Sequence, residues 1–350
     1  MSVLKELALP VVQAPMAGGL STPALAAAVN RAGGLGFLAA GYLTPERLAQ
    51  DIAAARALSD GPLGVNVFVG GAHPAEHAPV EAYARRLAVE AQRAGVELGE
   101  PRFDDDSFDE KLALLVTDPV AVVSFTFGLP LQTTVEQLRG AGSEVWLTVT
   151  SPDEARRAAA LGVDALIVQG VEAGGHRGVF VDDDDASDLT LLAALQLVGA
   201  TVDLPLIAAG AIVHGGALAA VLAAGASAGQ LGTAYLLSAE AATADVQRTA
   251  VASATPTVLT RAFSGRLARG IVNRLHRDHA AHAPRAYPEI DHLTKPLRAH
   301  GRQAGDADLV NLWAGQAHEL AVAAGAEEIT RRVAAEARTA LRQAVSRLEP

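Results

Sequence analysis

The feature that most constrains this chain is a repeated alternation. Short runs rich in Val, Ile, Leu or Phe occur at PVVQAPMAG (10–18), GLGFLAAG (34–41), PLGVNVFVG (62–70), VAVVSFTFG (120–128), SEVWLTVTS (143–151), DALIVQG (164–170), LPLIAAGAI (204–212) and AGQLGTAYLL (228–237). Between them lie alanine-rich segments such as STPALAAAVNRAG, TPERLAQDIAAARALSD and SPDEARRAAALG, most opening on Ser, Thr or Pro and closing at Gly. Those are helix start and stop signals. Runs that are apolar on both faces and separated by helices belong to a parallel sheet covered on its faces. Eight such units predict an α/β fold closed into a (β/α)8 TIM barrel, because closure leaves no edge strand; an open doubly wound sheet is the alternative.

After Leu237 the alternation stops. Residues 238–310 are richer in Arg, His and Pro and show no strand pattern. They are expected to form a mostly helical substrate (cap) domain inserted near the C-terminus, with 1–237 and 311–350 forming the barrel. From Glu319 onward apolar residues recur at helical spacing between charges, as expected of a closing outer helix.

Composition removes several function classes. Half of the 350 residues are hydrophobic and 19% are charged, which fits a compact globular chain. A net charge of −11 gives no attraction to nucleic acid or anionic membranes. With no cysteine there is no disulfide, thiolate nucleophile, Cys-ligated metal or thioether-linked cofactor. The start has no basic segment followed by a long apolar one, and alanine-rich stretches are broken by Gly and Ser before membrane-spanning length. A soluble, cytoplasmic protein is expected, with no metal site.

On a barrel, chemistry sits where strands end at the C-terminal face. The sixth run leads into QGVEAGGHRG (169–178), where four glycines surround His176. Clustered glycines mean that backbone turns sharply or approaches something closely. Glycines at the ends of the seventh and eighth runs expose backbone N–H groups where phosphates bind on this fold, which points to Gly210, Ala211, Gly232 and Thr233; tight βα turns are the alternative. Gln13, Asn66 and Gln169 place amides near strand ends, suited either to reading the edge of a heteroaromatic ring or to tying loops together.

The set QAPMAGG, GVNVF, QGVEAGGHRG, IAAG, AGQLGTAYLL, FSGRLARGI and WAGQ resembles the nitronate monooxygenase family, formerly the 2-nitropropane dioxygenases, and within it the bacterial class I members. The resemblance covers nearly the whole chain. It implies a TIM barrel with a helical substrate domain and noncovalent FMN, with flavin contacts at Met16, Asn66, Gln169, Gly174, Gly210, Ala211, Gln230, Leu231, Gly232 and Thr233. It also implies that His176 is the active-site histidine and that Tyr287 is lent to the substrate pocket. Such a histidine can take a proton from a nitroalkane α-carbon or, when protonated or donating a hydrogen bond, hold an anionic nitronate.

The implied reaction passes one electron from the nitronate to FMN, with O2 taking part, and yields a carbonyl compound and nitrite or a related oxide. Propionate 3-nitronate is the implied physiological substrate, and the chain is expected as a monomer or homodimer. Two other readings stay open: an NAD(P)H-dependent FMN reductase of the enoyl-ACP reductase or quinone reductase type, and a noncatalytic binder of a phosphorylated ligand. Four local features depart from the family pattern or need their own reading. Ala211 stands where a second glycine is common, which strains any positive φ there. Thr126 stands where some members carry a second histidine. DDDDASD after Val181 reads as a solvated acidic loop, and RLARGIVNRLHRDH as a charged helix face.

Overall fold

The computed structural model describes residues 2–70, 75–183 and 186–348. Each apolar run holds one strand: β1 (Val11–Gln13), β2 (Gly36–Ala39), β3 (Leu63–Phe68), β4 (Val122–Thr126), β5 (Glu144–Val149), β6 (Ala165–Gln169) and, after the two-residue β7 (Gly175–His176), β8 (Leu206–Ala209) and β9 (Ala228–Leu231). The eight-stranded parallel sheet runs β1-β9-β8-β6-β5-β4-β3-β2. A parallel bridge between Val12 and Leu35 joins its two ends, so the sheet closes as a (β/α)8 barrel.

The helices begin where the sequence placed their signals. Thr22, Thr44 and Ser151 each accept a hydrogen bond from a backbone N–H of the first turn and precede a proline. Strand alternation then divides the core. Phe37, Val122, Trp146, Ile167 and Ile207 fill the barrel, while Val65, Val123, Leu147, Leu166 and Ala208 face the helices. The last helix, Ala326–Leu348, lies on the helices Pro23–Ala32 and Gly215–Ala223 and buries Ile329, Val333 and Ala337. Among the described residues no helix is long and apolar enough to cross a membrane.

Gln13 sits at the seam where the ladder is one bridge long. Since Val12 points inward, its neighbour Gln13 points away from the barrel interior. Its Oε1 accepts from Phe37 N at 2.8 Å, and its Nε2 donates to Ser21 Oγ at 2.8 Å and to the Ala14 carbonyl. This amide ties β1 to β2 and reads no ligand.

The segment 238–310, expected to be mostly helical with no strand, contains strands as well. It holds the helices Asp245–Val251, Arg274–His279 and Glu289–Ala304, but also the strands β10 (Thr257–Thr260) and β11 (Ala268–Ile271). These pair antiparallel, and β11 adds β7 to a three-stranded sheet. β10 has only two apolar residues between threonines, and the buried Arg269 interrupts the apolar pattern of β11, so neither stands out as a strand in the sequence. The helix His77–Ala94, from the β3–β4 connection, packs Val80, Tyr83 and Leu87 against Ile290 and Leu293 of the helix Glu289–Ala304. Contact with the barrel insertions is therefore part of how residues 238–310 are held.

Three non-glycine residues adopt a left-handed backbone just beyond the C-terminal ends of β2, β4 and β8: Tyr42 (φ 68°), Phe127 (φ 81°) and Ala211 (φ 50°). Two predictions follow from this seam and this strain. Gln13→Leu strands the Phe37 N–H and loses the tie to Ser21, so it lowers unfolding free energy by roughly 2 kcal/mol, read as a lower denaturant midpoint at unchanged slope. Ala211→Gly relieves the left-handed strain and raises stability by up to about 1 kcal/mol, despite the added freedom of the unfolded chain.

Candidate active site

A cavity of about 460 Å³ opens at the C-terminal end of the barrel. Above the apolar filling of the interior, inward-facing positions turn polar: Asn66, Thr126, Thr148, Gln169 and Gln230 form one wall. Gly210, Ala211, Gly232 and Thr233 line it from the ends of β8 and β9, and the helix Glu289–Ala304 supplies Asp291, Lys295 and Arg298 from the far side. The three strained residues Tyr42, Phe127 and Ala211 all line it too, as strained backbone commonly does at functional sites.

The loop after β6 is fixed by three buried guanidinium groups. Arg177, 1% exposed, donates to Gln169 Oε1 (2.9 Å), the Gly170 carbonyl (2.7 Å) and the Ser187 carbonyl (2.9 Å). Arg266 donates to the carbonyls of Arg177 and Val179, and Arg269 to the Val171 carbonyl at 2.9 Å. The basic run is thus a buried strand and a short helix; its Arg266 and Arg269 point into the loop they secure, while Arg274 pairs with Glu90 and Arg277 is exposed. The acidic run is corrected similarly at its start. Asp182 pairs with Arg261 at 2.8 Å and accepts from Leu267 N; Asp184 and Asp185 lie outside the described residues.

The glycines of this loop serve the backbone. Gly175 has φ 76°, and a Cβ on Gly174 would come within 2.5 Å of Gly315 N. Gly174 lines the cavity, but its missing side chain makes room for the 314–315 segment. His176 emerges from that turn on β7, held by β11 through pairing with Ala268.

The His176 imidazole stands among the rings of Phe127, Tyr287 and Trp313, at centroid separations of 5.8, 5.7 and 5.5 Å. Burial, together with the Arg266 and Arg298 cations, pushes its pKa down to about 3, so it is neutral at physiological pH. A charged imidazolium is therefore not available to an anionic ligand; Lys295, Arg298 and Arg302 bring the positive charge of this cavity, with Arg298 paired to Asp291 at 2.8 Å. Nε2 lies 2.7 Å from Ser264 Oγ. Ser264 has one hydroxyl proton and a second acceptor in reach, the Arg266 carbonyl at 3.2 Å. Giving that proton to the carbonyl makes Nε2 a donor and leaves Nδ1 as a lone-pair acceptor; giving it to Nε2 leaves Nδ1–H as a donor. Either way Nδ1 is the ring nitrogen left for a ligand.

The structure brings most of the expected positions together. Met16, Asn66, Gln169, Gly174, Gly210, Ala211, Gln230, Gly232, Thr233 and His176 all line the cavity. Leu231 does not, since alternation after the inward Gln230 turns its side chain into the helix-facing core. Tyr287 stands one layer back, packed on His176 and donating to the Tyr42 hydroxyl at 3.1 Å. Gln169 is occupied at both ends, donating to the His176 carbonyl and accepting from Arg177 and Gly178 N, so it shapes the histidine loop.

Two amides are suited to a heteroaromatic cofactor. Gln230 Nε2 is buried with no hydrogen-bond partner, an arrangement that asks for an acceptor from a ligand. Asn66 uses Nδ2 on Ser124 and Thr126 and keeps Oδ1 for another donor. The sequence reading did not single out Tyr42, Ser264, Arg266 or Trp313 as site residues. Tyr42 lies in a short βα connection whose only signal was TPE at the start of the next helix; Arg266 opens the run read as a charged helix face, and Ser264 lies two residues before it.

Known proteins resemble this chain over almost its whole length. A family model described as nitronate monooxygenase matches residues 1–336. A nitronate monooxygenase of Paraburkholderia phytofirmans is 38% identical over 345 residues, covering 95% of this chain and 93% of that one. The crystal structure of nitroalkane oxidase from Streptomyces ansochromogenes superposes with a TM-score of 0.94 at 48% identity, covering 98% of this chain and 99% of that chain. FabK from Thermotoga maritima superposes at 0.79 with 25% identity, covering 98% of this chain and 97% of that chain. With its closed barrel, its glycine-histidine loop and a match over almost its whole length, this chain belongs to the nitronate monooxygenase family of oxidoreductases.

Proposed function

We propose that the protein is an FMN-dependent nitronate monooxygenase that oxidises alkyl nitronates, propionate 3-nitronate among them, with O2 to carbonyl compounds and nitrite or related nitrogen oxides. The observation that carries this reading is the neutral His176, with Nε2 tied to Ser264 and Nδ1 left to the cavity.

FMN, when bound, supplies the electron acceptor and the route to O2. Its phosphate would be held by backbone at Gly210, Ala211, Gly232 and Thr233, and its ring edge by Gln230 and Asn66, with Met16 beside them. Thr233 Oγ1 already accepts from Gly315 N at 3.0 Å, so its hydroxyl proton is free for a phosphate oxygen.

The chain's own residues then position and exclude. Phe127, Tyr287 and Trp313 screen the imidazole from water on three sides. With a pKa near 3 the imidazole is too weak a base to hold a nitroalkane α-proton at neutral pH, so its role is to hydrogen-bond a ligand that arrives already anionic. With its proton on Nδ1 it donates to a nitronate oxygen, and the long-range charge comes from Lys295 and Arg302, Arg298 being paired with Asp291. The cavity residues include no second histidine among those described, and Thr126 is engaged with Asn66 and Thr148, so a mechanism built on two histidines has no support here. The alternative is the NAD(P)H-dependent FMN reductase that the sequence left open.

Anaerobic mixing of the FMN-loaded protein separates the two. Flavin absorbance changes with propionate 3-nitronate and stays unchanged with NADH on the oxygenase reading; rapid bleaching by NADH contradicts it. His176→Asn keeps FMN and loses at least about a hundredfold in turnover, measured as oxygen uptake with nitronate. The third expectation concerns pH. Since the unfolded imidazole titrates near 6.5 and the folded one near 3, the unfolded chain binds more protons in that window, and stability rises with pH through it. The NMR signals of His176 accordingly show no titration between about pH 5 and 8.

A further inference from the structure

All five non-glycine residues with positive φ among those described belong to one neighbourhood. Tyr42, Phe127 and Ala211 line the cavity, and the other two are Asp106 (φ 58°) and Ser107 (φ 50°). Asp106 explains why strain reaches so far from the barrel axis. Its Oδ1 accepts from the Tyr42 backbone N–H at 2.9 Å, and its Oδ2 lies 2.8 Å from Nζ of Lys111, a fully buried lysine. Two uncommon backbone conformations and a buried ion pair thus fix the position of one side chain.

That side chain is Tyr42. Its ring packs edge-on against Phe68 at 5.8 Å between centroids, and it lines the cavity. Tyr287 donates to its hydroxyl oxygen at 3.1 Å, while Tyr287 itself leans on His176. The acceptor capacity of the Tyr42 hydroxyl is therefore in use, and its own proton has no acceptor among the described residues. Burial, with the Tyr287 and Asp291 side chains nearby, pushes the Tyr42 phenol well above its ordinary pKa, so the hydroxyl keeps that proton for a ligand acceptor.

We propose, resting on the nitronate reading above, that Tyr42 is a substrate-binding residue. Its hydroxyl donates to an oxygen of the bound oxyanion, with Tyr287 behind it as a positioning residue and Asp106 with Lys111 as the clamp on its backbone. The acceptor class is a planar oxyanion carrying its negative charge over two or more oxygens, as the nitronate group does. A hydroxyl serves this role in a cavity whose histidine is neutral, because the donor needs no protonation to act.

The test uses nitrate, a planar and unreactive mimic of the nitronate group, bound to the FMN-loaded protein and followed by the flavin spectrum. Tyr42→Phe keeps the ring and its packing, weakens nitrate by about tenfold as expected for a lost hydrogen bond to a charged group, and leaves FMN affinity unchanged. Tyr287→Phe has a smaller effect, and the double variant binds nitrate no worse than Tyr42→Phe alone. Nitrate affinity equal in wild type and Tyr42→Phe, additive effects of the two variants, or a parallel loss of FMN in Tyr42→Phe would each overturn the proposal. A wild-type protein that binds nitrate through Tyr42 yet fails to oxidise nitronates would count against the proposed function and leave this contact standing.

Discussion

Three guanidinium groups buried around one loop set the conditions for everything else at this site. Arg177, Arg266 and Arg269 are each under a tenth exposed, and taking a charge out of water is costly unless its donors are satisfied. Here they are satisfied by the carbonyls of residues 170–187, the oxygens that an irregular loop leaves without partners. The arginines gain acceptors, and the loop gains a single conformation in which β7 meets β11 and His176 faces the cavity. Gln169 extends the same network into the barrel, so the last inward residue of β6 and the histidine that follows it move as one unit.

The same cations also tune the histidine. Arg266 lies 4.0 Å from the centre of the Phe127 ring, which touches the imidazole, and together with Arg298 it opposes protonation of His176. Positive charge and neutral hydrogen bonding are thus assigned to different groups. Lys295, Arg298 and Arg302 of the helix Glu289–Ala304 carry the charge, and the imidazole stays neutral with Nδ1 free to exchange hydrogen bonds.

Much of this was legible in the sequence because barrels impose a rhythm that residue order records directly. All eight strands lie inside the apolar runs, and the Ser/Thr-Pro starts of three helices are capped as their residue types require. The alternation that places Asn66, Gln169 and Gln230 inward is a property of strand geometry, and it equally turns Gln13 and Leu231 away. What the sequence did not disclose depends on long-range burial. RLARG looks like solvated charge until the loop carbonyls that receive Arg266 and Arg269 come from 87 to 98 residues earlier. Tyr42 is a single aromatic in a turn, and only the clamp from Asp106 and the hydroxyl of Tyr287 give it a direction. The strain anticipated at Ala211 is present, since a left-handed backbone is what the turn after β8 demands of whichever residue occupies it.

On the proposed function, a flavin lies across the polar crown of the barrel, under an imidazole that the arginine-bound loop holds in place. A crystal structure of the FMN-loaded protein addresses this most directly. It should show the phosphate against residues 210–211 and 232–233, an acceptor atom on Gln230 Nε2, and the His176 ring facing the isoalloxazine with Nε2 still on Ser264. Flavin bound elsewhere, or an imidazole turned away from the ring with the loop rearranged, would contradict it.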